Sequence, residues 1–474
     1  MSGLNNILNK VRTSIIPETQ RFAYTSADKE INYKAICIFA ATGFFLGEDT
    51  YFKNMTALQP ATDYEIDNRN IISGSEKYWY WHNEPAETTS KQTTEEFAHL
   101  FEKICNEKLS GKRVILPLSG GLDSRTQAVA LPDNYSVSCY SYKFQNSFDE
   151  TKYGRKISEV RSYPYSEYVI KNGYLWNCIE ELAGINNCYA DFTSPRQMAV
   201  IKEVDKLGDT FFLGHWGDVL FDDMGVEDGL NQEEITKVVL KKIIKKGGSE
   251  LAESLWVSWG LEGSFQTYLK ERLSKLLDDI KIENANSKIR AFKSMYWAPR
   301  WTSANLDIFS SYKPAVLPYY DNEMCKFICR VPEKYLAGRK IQIDYIKLKN
   351  PDIAKISWQD YDPMNLYNYK KFDSKFRLPL RAFKKGKKIL KEKLLKEKLI
   401  LRNWEIQFTG KENSFQLESH LFDNSKFSEF ISKDLVKNFY DKFLEEDVKY
   451  SHPVNMLLVL SMFIKNENRI YQKL

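Results

Sequence analysis

Val114-Ile-Leu-Pro-Leu-Ser-Gly-Gly-Leu-Asp-Ser-Arg125 is an apolar run that breaks into a glycine turn carrying hydroxyl and carboxylate groups. Residues 114–118 have the composition of a buried strand, Gly120 and Gly121 permit a tight turn with exposed amides, and residues 126–131 suit the following helix. The turn is therefore expected at a helix N-terminus, where open N–H groups and the positive dipole end favour phosphate. Ser119 and Ser124 add hydroxyl donors, and Asp123 is a candidate Mg²⁺ ligand.

The spacing Ser-Gly-Gly-x-Asp-Ser differs from the Walker pattern, which puts a longer spacer between its glycines and follows them with Lys-Ser or Lys-Thr. No such lysine follows here. The stretch resembles the PP-loop of ATP pyrophosphatases, and over residues 118–125 it is most similar to the asparagine synthetase branch of that family. That resemblance implies ATP as cofactor, with Leu118, Ser119, Gly120, Gly121, Asp123 and Ser124 as its binding residues.

Composition fits a soluble enzyme with sizeable cores. The chain has 474 residues, 43% of them hydrophobic, enough for about two or three domains. A formal net charge of +5 is small for this length and argues against nucleic acid as a partner of the whole surface. The seven cysteines show no C-x-x-C pairing, and Cys325 and Cys329 have no nearby histidines for zinc, so reduced structural thiols are expected. No secretory apolar segment opens the chain, and no window approaches the roughly 20 apolar residues that span a bilayer. A cytoplasmic location is the expectation.

Residues 1–92 read as a small β-rich domain, with residues 33–45 apolar and aromatic, a turn at 47–50 and alternation over 64–72. Residues 43–67 resemble the end of the glutaminase domain of asparagine synthetases through Thr50, Phe52, Leu58 and Pro60. That glutaminase uses an N-terminal cysteine nucleophile. This sequence begins Met1-Ser2-Gly3 and is short before the glycine turn, so a degenerate glutaminase-like domain without glutamine hydrolysis is expected. Trp79, Tyr80 and Trp81 are expected to cover a core edge.

From residue 93 to 474, strands and helices alternate as a doubly wound, mostly parallel sheet requires. Strands are expected over 135–144 and 167–170, a helix over 151–159, and a buried helix over 454–464. The expected fold is α/β, a PP-loop-type sheet with a smaller β-rich N-terminal domain and a helical C-terminal extension. In the resembling family an Asp-Glu pair opens the helix after the second strand, here Asp149 and Glu150; helix N-terminal charge is the other reading of the pair.

A second cluster spans residues 211–223, Phe-Phe-Leu-Gly-His-Trp-Gly-Asp-Val-Leu-Phe-Asp-Asp. An apolar strand again ends in a glycine-bracketed polar turn, and such strand ends are where open α/β sheets bind ligands. It resembles the family's Ser-Gly-Glu-Gly-x-Asp-Glu-x-Phe segment, matching at Gly214, Asp218 and Phe221. The resemblance implies that Gly214 borders the nucleotide and that Asp218 shares Mg²⁺ with Asp123. His215 stands at the family's first glutamate position and Val219 at the second. His215 is either a base for the incoming amine, with an ordinary pKa of about 6.5, or a packed loop residue. Residues 191–196 resemble the substrate-side loop and residues 312–321 an Arg-x-Pro-Phe-Leu-Asp segment. Residues 350–358 resemble the start of the segment that carries a lysine at the triphosphate. Lys355 is the candidate for that lysine, with Arg300, Arg339 and Lys340 as other sources of the charge.

Residues 370–398 form a basic run with apolar residues near helical spacing. It reads either as an amphipathic helix for an anionic membrane or acidic partner, or as a solvated helix with Glu–Lys neighbours. Taken together, the resemblance implies an AMP-forming amide ligase acting on a small-molecule, sugar or peptide carboxylate other than free aspartate, with an amine or ammonia donor. An ATP-binding protein without chemistry, and a PP-loop enzyme modifying nucleic acid, stand as alternatives.

Overall fold

The structure is a computed structural model that describes residues 8–371 and 400–473. Its first 80 or so described residues alternate short strands with one helix: β1 (Asn9–Arg12), β2 (Phe22–Tyr24), α1 (Tyr33–Thr42), β3 (Met55–Ala57), β4 (Thr62–Ile66) and β5 (Ile72–Lys77). Strands β1, β4 and β5 form one antiparallel sheet, and β2 pairs β3 in a separate ribbon.

The apolar stretch 33–45, expected to be β-rich, is mostly helix α1. Its ends explain why. The Asn32 side chain accepts a hydrogen bond from the Ala35 amide, and Gly43 closes the helix at φ 83°, a left-handed conformation that glycine adopts without steric cost. An apolar run buried on all sides cannot be assigned by periodicity, so its caps decide. α1 packs against the helix Gly248–Ser258, where a Cβ on Gly248 would lie 2.3 Å from the Ala41 carbonyl oxygen. Buried residues on both sides of residue 92 belong to one contiguous core.

The central unit follows, with α2 (Ser90–Leu109), β6 (Val114–Pro117), α3 (Leu122–Ala130), β7 (Val137–Phe144), α4 (Thr151–Val160) and β8 (Tyr165–Ile170). After α5 (Ile179–Asn186) and the short α6 (Ile201–Val204) come β9 (Thr210–Phe212), α7 (Gly217–Leu220) and, later, β10 (Ala315–Val316). The five strands pair in the order β10-β9-β6-β7-β8, all parallel. The chain runs outward from β6 to β8, then returns to the far side of β6 as β9. That reversal makes the gap beyond the ends of β6 and β9 the topological switch point, where doubly wound sheets form a ligand crevice. β6 and β9 are apolar because helices and loops cover both faces of the sheet.

The last helix, Asp447–Lys473, buries Val454, Leu457, Leu458 and Phe463 completely. The Phe463 ring stacks on Tyr51 at 3.7 Å between centroids, tying the C-terminal region to the N-terminal one. Its Asn455 donates to Asp191 Oδ1 and Thr193 Oγ1, both at 3.2 Å. The basic run expected over 370–398 lies, apart from its first two residues, outside the described residues. Among the described residues, no helix is long and apolar enough to cross a membrane.

One buried ion pair fixes the segment that follows α7. Arg290 pairs with Glu333 at 2.6 Å, and its other nitrogen donates to the Asp222 carbonyl at 2.8 Å. Removing one partner of such a pair leaves a buried charge uncompensated. Glu333→Ala is expected to lower unfolding stability by roughly 3–5 kcal/mol, read from denaturant titration followed by circular dichroism. A loss below about 1 kcal/mol would show that this pair does not hold the segment.

Candidate functional site

Beyond β6 the chain turns through Ser119, Gly120 and Gly121 before α3 begins at Leu122. The Ser119 amide donates to Ser124 Oγ at 3.1 Å, the two serine hydroxyls lie 3.0 Å apart, and the Gly121 amide donates to Ser119 Oγ at 3.2 Å. No side chain caps the first turn of α3, so its amides are left for an anion. Gly120 has no room for a side chain, since an added Cβ would meet Gln359 at 2.5 Å and Tyr153 at 2.8 Å. Below it, the fully buried Arg125 guanidinium donates to the carbonyls of Ile356 at 3.0 Å and Ser357 at 2.9 Å. Arg125 thus fastens the segment around residue 356 under the turn, and its pKa, pushed down to about 10 by burial, keeps it charged at neutral pH.

The loop after β9 lies directly on this first turn of α3. A Cβ on Gly217 would come within 2.1 Å of Asp123 Oδ1, and one on Gly214 within 3.0 Å of Asp123 Cβ. Only glycine fits at either position. Between them, Trp216 takes a left-handed backbone, φ 78°, and its indole N–H donates to Ser294 Oγ at 3.1 Å. A strained non-glycine residue at a strand end is the kind of outlier that clusters at functional sites.

Asp123 and Asp218, 95 positions apart in the chain, therefore face one cavity of about 700 Å³. Asp218 is exposed to it, whereas the Asp123 side chain is 23% exposed. Burial raises the Asp123 pKa, the charge of Arg339 opposes that rise, and the charge of Asp218 adds to it. Arg339 pairs with Asp123, and Gln342 Nε2 donates to Asp123 Oδ1 at 3.0 Å and to the Tyr319 hydroxyl at 2.8 Å. Asp123 and Asp218 are thus near enough for the charge of one to act on the other.

Of the residues expected at the site, Leu118, Ser119, Gly120, Asp123, Ser124, Gly214, His215 and Asp218 all line this cavity. Gly121 caps α3 just behind it. Lys355 does not reach it. That lysine ends the short helix Pro351–Lys355, 64% exposed, and pairs with Asp352 at 2.9 Å. Among the described residues, the cations at the cavity are Arg339, Lys293 and Arg196. Arg300 is buried on the carbonyls of Phe45 and Asp49, and Lys340 pairs with Asp344.

His215 differs from its expected titration. Burial pushes its pKa down to about 4, against the partial opposition of Asp218, and its Nδ1 is buried without a partner. The ring is neutral at neutral pH and a weaker base than an ordinary imidazole. Asp149 lies just before α4, accepting from the Thr151 amide at 3.2 Å and hydroxyl at 2.6 Å and pairing with Lys143 at 3.6 Å, while Glu150, the N-cap residue, reaches the cavity edge. Asp191 shapes its own turn, accepting from the Thr193 and Ser194 amides, and so presents Arg196 to the cavity.

Sequence reasoning missed one wall. Residues Lys293–Thr302 wind as a π-helix with Pro299 inside, and its Lys293, Trp297, Trp301 and Thr302 line the cavity. The repeat of Lys, Trp and Trp at four-residue steps was the available signal. π-Helical turns occur frequently at functional sites. Tyr140, Ser141 and Tyr142, from the middle of β7, complete another side. Among the described residues, no group of three or more His, Cys, Asp or Glu is placed to hold a metal.

Fold and cavity together define an α/β protein with an anion-suited crevice at the switch point of a parallel sheet. No family model matches the chain, and no curated protein matches it. Among solved structures the chain is similar to NMN synthetase from Francisella tularensis, at 12% identity over 40% of this chain and 94% of that one, with a TM-score of 0.21.

Two measurements probe this geometry. Gly217→Ala places a methyl on the Asp123 carboxylate and is expected to cost roughly 1–3 kcal/mol of stability, read by thermal or denaturant unfolding; an unchanged midpoint would mean the loops are not in contact. The second concerns pH. Above the ordinary histidine value of 6.5, His215 is neutral folded and unfolded; below it, the unfolded chain binds a proton that the folded chain refuses until about 4. His215 therefore withdraws stability as pH falls from 6.5 towards about 4, and His215→Gln is expected to flatten the measured stability–pH curve in that window. An identical curve for the variant would contradict the burial of this ring.

Proposed function

We propose that the chain uses ATP to activate a carboxylate as an acyl-adenylate and passes the acyl group to an amine, releasing AMP and pyrophosphate. The observation that carries this reading is the shared cavity: two carboxylates from loops distant in sequence face it beside the uncapped N-terminus of α3. The hydroxyls of Ser119 and Ser124 and the first-turn amides suit phosphate oxygens. Tyr142, half-buried at the cavity, offers a flat surface for a base.

Asp123 and Asp218 fit Mg²⁺ by donor chemistry. They are close enough that one charge raises the proton affinity of the other, and Mg²⁺ takes one or two carboxylates and completes its shell with phosphate oxygens and water. When bound, it would neutralise triphosphate charge and ease departure of the leaving group. Arg339, already on Asp123, is placed to follow the negative charge onto pyrophosphate, the task first assigned to Lys355.

In the first step the substrate carboxylate oxygen bonds to the α-phosphorus as the α–β bridge breaks, and pyrophosphate leaves with the bond pair. In the second the amine nitrogen attacks the acyl carbon, and AMP leaves with the carbon–oxygen bond pair. The amine must also lose a proton. Neutral His215 offers a ring nitrogen on the cavity wall that can accept a hydrogen bond from the amine, and the proton itself passes to the departing AMP phosphate and on to water. Exclusion of water from the bound acyl-adenylate decides between the amide and hydrolysis.

A second reading, an ATP-binding protein without chemistry, draws support from the engagement of Asp123 with Arg339 and Gln342. An enzyme modifying nucleic acid would call on catalytic cysteines or a zinc cluster, and among the described residues no cysteine lines the cavity. The test supplies MgATP, ammonium and a panel of sugar, peptide and small carboxylates, and measures AMP and pyrophosphate. The account expects AMP without ADP, and a fall of roughly 100-fold or more in Asp123→Asn and in Asp218→Asn. ATP bound with no turnover on any carboxylate would favour the second reading.

A further inference from the structure

The π-helical wall gives the cavity chemistry that a nucleotide site alone does not require. Lys293, Trp297 and Trp301 stand at four-residue steps on one turn-widened helix and face the same space. The Lys293 ammonium lies 5.6 Å from the ring centre of Trp216 and 5.4 Å from that of Trp297. Among the described residues it makes no salt bridge. Burial pulls its pKa below the ordinary lysine value, and the charge of Asp218 only partly opposes this. Aromatic faces compensate a desolvated ammonium in part, and an anion would complete the compensation.

A second cation stands behind the same tryptophans. Lys245 sits 5.6 Å from the Trp297 ring centre and 5.8 Å from that of Trp301, and it too has no salt bridge among the described residues. Lys245 opens onto a neighbouring pocket beside Asp191 rather than onto this cavity, so Lys293 is the ammonium on this wall that attracts an acid. The walls are also flat and rigid. Trp297 and Trp301 meet at 79°, and Trp216 is pinned by its indole bond to Ser294. Such surfaces pack best against a flat or cyclic body, with the polar group at one end fixing its orientation.

We propose, resting on the adenylating reading, that this wall is the substrate subsite and takes a carboxylate borne on a ring, with Lys293 holding the acid and Trp297 and Trp301 packing against the ring. With Asp218 drawn to a cation on the phosphate side, Lys293 is left to the substrate. Free open-chain diacids fill this space poorly, and Lys293 becomes the specificity-determining residue.

The test uses the full chain with Mg²⁺ and a non-hydrolysable ATP analogue, and follows tryptophan fluorescence during titration with three probes: glucuronate, benzoate and succinate. At least one ring acid is expected to give a saturable change at roughly tenfold or more lower concentration than succinate. The tighter of the two identifies a sugar or an aromatic body. Lys293→Met should weaken that ring acid by roughly tenfold or more, with Lys293→Arg recovering part of the loss. Far-UV circular dichroism of each variant confirms folding, and Trp297→Leu supplies a second substitution should Lys293→Met fail to fold. Equal affinity for succinate, no response to either ring acid, or an unchanged affinity in a folded Lys293→Met would overturn the subsite. Failure of the wild-type chain to bind the ATP analogue would instead reject the adenylating reading, and ring-acid binding without AMP formation once ATP replaces the analogue would reject the reaction while leaving the subsite in place.

Discussion

The contact on which the site depends is the seating of the loop after β9 against the first turn of α3. Gly214 and Gly217 bring that loop so near Asp123 that a methyl group at Gly217 would overlap the carboxylate. Because β6 and β9 are neighbours only at the switch point of the strand order, the sheet supplies this contact at one place. Asp218 follows Gly217 by one residue, so the close approach that excludes a side chain at 217 also carries a second carboxylate to the cavity.

Electrostatics then shapes what the cavity can hold. Two carboxylates without counter-charge would be costly in a partly desolvated space. Arg339 and Gln342 steady Asp123 from the helix Lys340–Lys349 and the turn before it, while Asp218 is left exposed. The asymmetry matters for chemistry: one carboxylate is held in place, and the other is free to take up a cation arriving with a ligand. Lys293, over its tryptophans, places an opposite charge on another wall of the same space. On the proposed reading the cavity therefore has two parts, an end for phosphate and its metal and a wall for an acid.

Much of this was legible in residues 114–125, because a buried parallel strand reads as an unbroken apolar run and a glycine pair marks its turn. The following helix starts at Leu122 rather than near residue 126; its first turn is polar, as first turns facing a ligand are, and so it does not show apolar periodicity. Residues 33–45 were misassigned for the converse reason, being apolar on every face of α1. Lys355 carried the right charge in the right stretch, yet its helix turns it to solvent and onto Asp352. The π-helical wall was hidden because the value of Lys293, Trp297 and Trp301 comes from burial against Trp216, which is 77 positions or more away in sequence.

The most direct measurement is calorimetric titration of the full chain with ATP, with Mg²⁺ present and with it chelated. The account predicts a single site per chain whose affinity drops by roughly tenfold or more without Mg²⁺, and whose dependence on Mg²⁺ disappears in Asp218→Asn. No binding of ATP, or binding indifferent both to Mg²⁺ and to Asp218, would contradict it.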